Sequence, residues 1–535
     1  MAAPTTTAPP PVSTRAPLKN PVFRMLWIAS MVSNIGTWVQ NTGGSWLMTD
    51  LTTSSSLVAL MQTATTLPVL FAALPAGTFA DFLDKRKLLM GSVVFQIGAG
   101  VALTALTYFG QTGPWALLLF TFLIGLGSAA FNPVWQALTP ELIGRDALPA
   151  AAALNGALTN VSRAVGPAIG GLLVARLGYY AVFGINALSS VYMLLILWRW
   201  RTDSKGGQSK PAGSIWPAMV AGIRYARYSD PLRGVLAHAL LFVSFASAIW
   251  ALLPVLARQQ LHLSAGGYGS LLTTLGAGSI TGVFLLSRLR QRFDLDSLLL
   301  AGGLGFAATL PLIGFSTRQD VVMVGLYVAG FCWLIVLTSL NVSTQYSAPA
   351  WIKARVLAIY LLTFQGGMAV FSFLWGSLNH VLPLSYTLST AGIGLAVASV
   401  IARRYRLNQI SQLNHEPALA QPDPLVIVEL QPTDGPVLVT VEYSVDSANR
   451  EPFLQTMKDL GRARLRNGAY DWDVYQDVGE PTRFVETFQV ASWADYLQQR
   501  GHRSQEDWRM QQMANDLAVR RPSVSRLLHR SVVQD

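Results

Sequence analysis

Arg163 sits near the middle of an apolar stretch, Ala150–Leu177, that is long enough to cross a bilayer. An ionisable side chain there costs roughly 2.5–3.5 kcal/mol even on translocon-derived scales, so its presence calls for a task. It can bond the carbonyls and helix ends around it, or it can meet an anionic group. At helical spacing Asn155, Thr159, Arg163, Gly166/Pro167 and Gly170 share one face. A polar stripe on an apolar helix turns toward a cavity or another helix, not toward lipid. The first apolar run carries a similar stripe, Asn34, Thr37/Trp38, Asn41 and Ser45, with Gln40 beside it. Asn34, Trp38, Gln40, Asn41 and Arg163 together make a candidate cavity lining of amides, an indole and one cation. No Asp or Glu lies deep in any apolar run, so such a lining disfavours permanently cationic ligands and suits neutral or anionic amphipathic ones.

A second constellation is Gly77-Thr78-Phe79-Ala80-Asp81-Phe82-Leu83-Asp84-Lys85-Arg86-Lys87, between the apolar runs Ser56–Ala76 and Leu88–Phe109. Gly77 allows close helix approach, Asp81 places a carboxylate at a membrane boundary, and Lys85 and Arg86 hold that boundary at the cytoplasm. Gly77, Asp81, Lys85 and Arg86 thus gather a glycine, a carboxylate and two cations at one membrane boundary. Asp50, Asp81, Glu141 and His238 are the titratable candidates for ion coupling. No catalytic set, metal-ligand cluster or Walker A phosphate loop is legible, so neither a cofactor nor a metal is expected.

These residues need a scaffold of membrane helices. Hydrophobic residues make up 51% of the 535 and charged ones 13%, a balance that excludes an ordinary soluble globule. The net charge of +11 comes from basic residues between apolar runs, which is topology and not a nucleic-acid surface. The single cysteine, Cys332, excludes an intramolecular disulfide framework. Twelve runs reach spanning length, the first near Val22–Met48, the fifth Ala150–Leu177, the seventh Gly234–Leu256 and the tenth Val321–Tyr346. The segment after the sixth holds Arg199, Arg201, Lys205, Lys210, Arg224, Arg227 and Arg233, whereas the opposite side shows Arg176, Arg258 and Arg318. The positive-inside rule therefore places both termini in the cytoplasm. Asn132-x-x-x-Gln136-x-x-x-Pro140 in the fourth run recurs as Asn341-x-x-x-Gln345-x-x-x-Pro349 in the tenth, as a duplicated six-plus-six plan requires.

After Arg406 the chain changes character. Asn408–Pro436 reads as a polar linker; strands follow at Val437–Val445, Tyr470–Val478 and Arg483–Ala491, with helices at Asn449–Arg466 and Trp493–Ala518. That order is ferredoxin-like. The expected organisation is a disordered tail 1–20, a six-helix half 21–200, a cytoplasmic linker 201–232, a second half 233–406, a linker 407–436, a soluble α+β domain 437–520 and a tail 521–535.

The Gly77–Lys87 run resembles the loop between helices 2 and 3 of the major facilitator superfamily, and the resemblance implies that Gly77, Asp81, Lys85 and Arg86 are a gating set, a charge contact that breaks and reforms. Val165-Gly166-Pro167-Ala168-Ile169-Gly170-Gly171 resembles the Gly-Pro-x-x-Gly-Gly element of its exporter branches, with Ser162 where the leading glycine would stand. Gly166, Pro167 and Gly170 are then kink and helix-packing positions. The whole chain is similar to the transmembrane-secretion-effector branch, on Leu18–Trp46, Gly77–Lys87, Leu154–Gly171 and, in the tail, Val437–Tyr443, Gly468–Tyr470 and Glu486–Trp493. The resemblance implies an all-α membrane protein of the major facilitator fold with an appended ferredoxin-like domain. It implies alternating-access export of a small organic compound, siderophore- or metabolite-like, across the bacterial cytoplasmic membrane, driven by protons. The partners implied are a small-molecule substrate and the lipid bilayer, with a homodimer through the soluble domain. The alternatives are multidrug or macrolide-type efflux, or a catalytically active monooxygenase-like tail using Trp472, Trp493 and His502.

Overall fold

The computed structural model describes residues 16–72, 84–144, 147–200, 215–349, 351–408, 410, 416 and 426–530. Its membrane part is built from α1 (Pro21–Leu51), α2 (Ser55–Thr66), α3 (Lys85–Tyr108), α4 (Pro114–Ile143), α5 (Leu148–Leu177) and α6 (Tyr179–Arg199). The second set is α8 (Asp230–Val255), α9 (Ala265–Arg292), α10 (Leu295–Phe315), α11 (Gln319–Tyr346), α12 (Lys353–Leu378) and α13 (Leu384–Ala402), after a shorter α7 (Ile215–Tyr228). Among the described residues eleven helices are long and apolar enough to span a bilayer, α2 within the run Ser55–Ala72. The exception is α1, which has 31 residues but carries the polar stripe already noted.

The helix boundaries follow local chemistry. Asn20 accepts from the amides of Val22 and Phe23 while Pro21 occupies the first turn, where its missing N–H costs nothing. Asp84 caps α3 through the amides of Arg86 and Lys87. Gly144 and Gly178, at φ 75° and 87°, end α4 and α5 in a conformation that favours glycine.

The described chain forms two compact units: Met1–Ala212, His238–Ser339 and Leu361–Arg404 make the first, and Gly213–Ala237, Leu340–Tyr360 and Tyr405–Asp535 the second. In the first unit α1 packs on α5 and α6, and α3 on α4 and α6, around cores such as Phe23, Leu26, Leu89, Trp135 and Leu197. The six-helix halves meet along two seams. In one, α5 lies against α9 at Gly171–Gly269 and Ala164–Gly276: a methyl on Gly171 would sit 2.6 Å from the Ala265 carbonyl, and one on Gly276 2.7 Å from the Ala164 Cα. In the other, α2 meets α12: Thr63 Oγ1 donates to the Ala369 carbonyl (2.7 Å) and Asn379 Nδ2 to Ser55 Oγ (2.7 Å).

The second unit holds an antiparallel sheet in the order β2-β3-β1-β4, with β1 (Val437–Ser444), β2 (Tyr470–Gln476), β3 (Arg483–Val490) and β4 (Ser523–Leu528). Helices α14 (Arg450–Arg466), α15 (Trp493–Gly501) and α16 (Gln505–Asp516) complete the domain. Val437, Val439, Val441, Tyr443, Phe484 and Phe488 alternate inward onto Phe453, Met457 and Leu460 of α14. This is the ferredoxin-like order. Two boundaries differ from the sequence reading. Residues 521–535 are not all tail, since β4 pairs with β1 from Val437↔Leu528 to Glu442↔Ser523; serines and Arg526 had masked its strand pattern. The linker 201–232 contains α7, whose Tyr225 is buried against Leu232, Ile352 and Val356.

Candidate functional site

The candidate site is built from side chains in the middle stretches of six helices. Trp38 projects from α1, and the guanidinium of Arg163 on α5 lies 5.6 Å above its ring. Trp38 also approaches Trp250 of α8 (ring centroids 6.3 Å), which packs edge-on against Trp333 of α11 (5.5 Å). Trp333 in turn touches Phe364 of α12 (5.8 Å), Phe242 of α8 (5.6 Å) and Phe306 of α10 (6.0 Å). The cluster thus runs from the first half into the second.

Its polar tips lack the usual partners. Arg163 Nε, Trp250 Nε1 and Trp333 Nε1 are all buried, and none has a hydrogen-bond partner among the described residues. A buried donor without a partner costs about 1–3 kcal/mol. All three groups are donors. The cluster therefore complements a ligand with an apolar or aromatic body and acceptor oxygens.

The residues expected from sequence divide. Trp38 and Arg163 are brought together. Gln40 is not in the lining: it is buried and bonded to Asn186 of α6, because the neighbouring face of α1 packs within its own half. Asn34 is half-buried and donates to the Ser30 carbonyl of its own helix (3.0 Å), and Asn41 is half-buried one turn beyond Trp38. Gly166 and Gly170 receive α1, at Trp38 and at Val39, so the glycine face of α5 packs on α1 while Pro167 abuts Gly269 of α9. Of the gating set, Gly77 and Asp81 lie outside the described residues, whereas Arg86 donates to the carbonyls of Leu197 (2.9 Å) and Trp198 (2.7 Å) at the end of α6. Lys85 opens α3. Trp250 and Trp333 were missed; a tryptophan in mid-span, away from the interfacial belts, was the available signal for Trp333.

At one end of the helices a second polar group joins the halves. Asp50, in the last turn of α1, accepts from the Tyr179 hydroxyl of α6 and pairs with Arg258 (2.5 Å), just after α8. Arg258 stands 5.3 Å over Trp46, which stacks on Tyr268 of α9 at 5.5 Å. The residues expected for a catalytic tail do not converge. The Trp472 indole donates to Glu486 (3.0 Å), Trp493 packs on Tyr496, and His502 stacks on Trp351 (3.9 Å, 5°) outside the domain core.

Two six-helix halves, closed on each other along α5–α9 and α2–α12 around an aromatic and cationic centre, define a transporter of the major facilitator fold. Residues 12–533 match the transmembrane secretion effector family, and the chain belongs to it. Among characterised relatives it is 26% identical over 390 residues to the enterobactin exporter EntS of Shigella boydii serotype 4 and of Escherichia coli O1:K1, covering 71% of this chain and 91% of each relative. The fold is shared with the nucleoside transporter NupG (TM-score 0.55, 13% identity, 72% of this chain and 99% of that one). It is shared too with a bacterial homologue of the human lysosomal transporter Spinster, inward-facing and occupied (TM-score 0.59, 13% identity, 73% and 98%). The chain is a multi-pass membrane protein with a small C-terminal ferredoxin-like domain.

Proposed function

We propose that this chain exports a small amphipathic organic compound, neutral or anionic, across the bacterial cytoplasmic membrane by alternating access. Siderophores such as catecholates, and metabolites of similar chemistry, fit the reading: they join a flat ring to acceptor oxygens. The observation that carries it is the trio of buried, unpartnered donors, Arg163 Nε, Trp250 Nε1 and Trp333 Nε1, on an aromatic wall. Among the described residues no carboxylate lies in the middle of a spanning helix to hold a cation. The relatives named as enterobactin exporters support the direction and the chemical class.

In the same reading the proton gradient drives the cycle, both termini are cytoplasmic, and the end carrying Asp50 and Arg258 faces outward. The appended domain is non-catalytic and supports a homodimer. Arg163 aligns the anionic end of the cargo. Inverted vesicles test this directly. Uptake of a catecholate siderophore should follow an imposed pH gradient, and Arg163→Ala should abolish it at equal protein abundance. Transport of cationic dyes in its place, insensitive to Arg163→Ala, would overturn the assignment.

A further inference from the structure

Between the two halves in sequence lies α7, which takes no part in the candidate site. Its 14 residues reach about 21 Å, too short to cross a hydrocarbon core of about 30 Å. Its surroundings nonetheless set it at the level where the chain enters the membrane. Only Ser229 separates it from Asp230, where the spanning run Asp230–Gln260 begins. A methyl on Gly222 would stand 3.3 Å from both Arg355 Cβ and Ile359 Cδ1, in the first two turns of the spanning helix α12. The stretch Tyr405–Leu407 crosses α8 at Gly234, one turn past its start, and brings the exposed Tyr405 and Arg406 to the same level. Tyrosine and arginine gathered at the ends of spanning helices mark a membrane–water boundary.

The helix has two unlike faces. On one, Gly222, Tyr225 and, just past the helix end, Ser229 are buried. Tyr225 packs with Leu232, Ile352 and Val356, donates to the Ser347 carbonyl (3.0 Å) and meets Trp351 edge-on (6.3 Å). On the other, Val220 and Ile223 are 41% and 56% exposed, and Arg227 is exposed with them. The spacing i, i+3, i+7 puts those three on one stripe, with Arg224 at its edge. Neither Arg224 nor Arg227 makes an ion pair among the described residues. Asp230, the carboxylate that follows them, is engaged by Arg233 (3.4 Å) and by Arg462 of α14 (2.6 Å). Arg224 Nε is buried without an acceptor, and the Arg227 guanidinium lies 6.0 Å over the ring of Tyr228.

We infer that α7 is a surface-seated helix that binds anionic phospholipid. Val220 and Ile223 enter the boundary between headgroups and acyl chains, while Arg224 and Arg227 lay their stems along it and reach lipid phosphates. The bilayer is the occupant because α8 and α12, which flank α7, both enter it at this level. Its headgroups also supply the negative charge that the protein withholds from the two arginines. The opposite face of the same helix grips the connection between α11 and α12 through Tyr225, Ser347 and Trp351. Lipid charge is therefore read at that connection: an occupied α7 holds it still, and an unoccupied one frees it. The anionic-lipid content of the membrane becomes a regulator of the second half.

The test uses the full chain in nanodiscs of phosphatidylcholine, alone or mixed with phosphatidylglycerol. In a Cys332→Ser background, Ile223→Cys carries an environment-sensitive fluorophore. Val478→Cys, 99% exposed between β2 and β3, is the aqueous control. The label at 223 should be quenched by a nitroxide high on the acyl chains and spared by aqueous acrylamide, the reverse of the label at 478. An arginine near an anionic surface favours binding about five-fold. Native mass spectrometry should therefore find phosphatidylglycerol retained over phosphatidylcholine. Arg227→Gln should cut that preference several-fold, and Arg224→Gln/Arg227→Gln should erase most of it. Hydrogen exchange in 347–352 should slow with phosphatidylglycerol in the parent chain and not in the double variant. Equal acrylamide quenching at 223 and 478, or a lipid preference unchanged in the double variant, would overturn the inference. These readouts need no transport, so they stand or fall apart from the exporter assignment.

Discussion

Asp50→Asn should open the transporter at the end where α1, α6, α8 and α9 meet. In the structure Asp50 ties both halves, through Tyr179 on one side and Arg258 on the other. The side chains of Arg258 and Asp50 are 45% and 31% exposed, so solvent screening holds their pair to about 0.5–1 kcal/mol. Weakening the hydrogen bond to a charged acceptor adds roughly 0.5–1 kcal/mol. The Arg258–Trp46 contact survives the substitution. The loss of about 1–2 kcal/mol corresponds to a shift of roughly 5–30-fold in the ratio of closed to open forms at that end. The assay is labelling of Ser45→Cys by an impermeant maleimide in right-side-out vesicles, in a Cys332→Ser background. Ser45 lies on the polar stripe of α1, one turn inside the latch. Labelling should speed up several-fold in Asp50→Asn and similarly in Arg258→Gln. The double variant should add little, because both single changes remove one interaction. Unchanged labelling in both single variants at equal abundance would show that the pair does not hold this end shut.

Trp333→Ala removes the ring that touches Phe242, Phe306 and Phe364; export should lose roughly tenfold or more in kcat/KM while Trp333→Phe keeps an intermediate rate, measured as initial uptake into inverted vesicles. Arg464→Met leaves the buried Glu486 carboxylate without its cation and should cost the appended domain about 3–5 kcal/mol, seen as faster proteolysis and hydrogen exchange in β1 and β3 with the membrane helices unchanged. Burial, and then Arg355, hold the His502 imidazole below its ordinary value of 6.5, so its stack on Trp351 contributes fully above that pH and is lost as pH falls through the lowered value. Hydrogen exchange in 347–352, corrected for intrinsic rates, should therefore rise as pH is taken from about 7.5 to about 5.5, and His502→Phe should flatten the change.

Element existence was legible wherever one signal dominated. Apolar length revealed the membrane helices, and an inward alternation such as Val437, Val439, Val441 and Tyr443 revealed the central strand of the tail. β4 escaped because Ser523, Ser525 and Arg526 interrupt its apolar residues; its pairing with β1, a tertiary fact, makes it a strand. For the candidate site, the cost of burying Arg163 singled it out, and helical spacing put Trp38 on the polar stripe of α1; their approach across helices is a tertiary fact. Gln40 went wrong for an instructive reason. A polar side chain on a membrane helix satisfies itself equally well against water or against another helix, and only the position of Asn186 on α6 decides between them. Trp250 and Trp333 lie in runs without any polar periodicity, so nothing local reported that their indole nitrogens would be left without acceptors.

The α5–α9 seam has a mechanical consequence. Where Gly171 meets Gly269 and Ala164 meets Gly276, backbone lies on backbone, and no long side chain crosses at these points from one half to hook the other. Interlocked leucines would have to change rotamer each time the halves tilt, and every such hop would add to the barrier. Smooth surfaces turn with little friction: small angles trade one set of backbone contacts for another of similar energy. In the alternating-access cycle proposed above, the seam serves as a bearing, and the energy needed to reorient the halves is concentrated in the few polar groups at their ends.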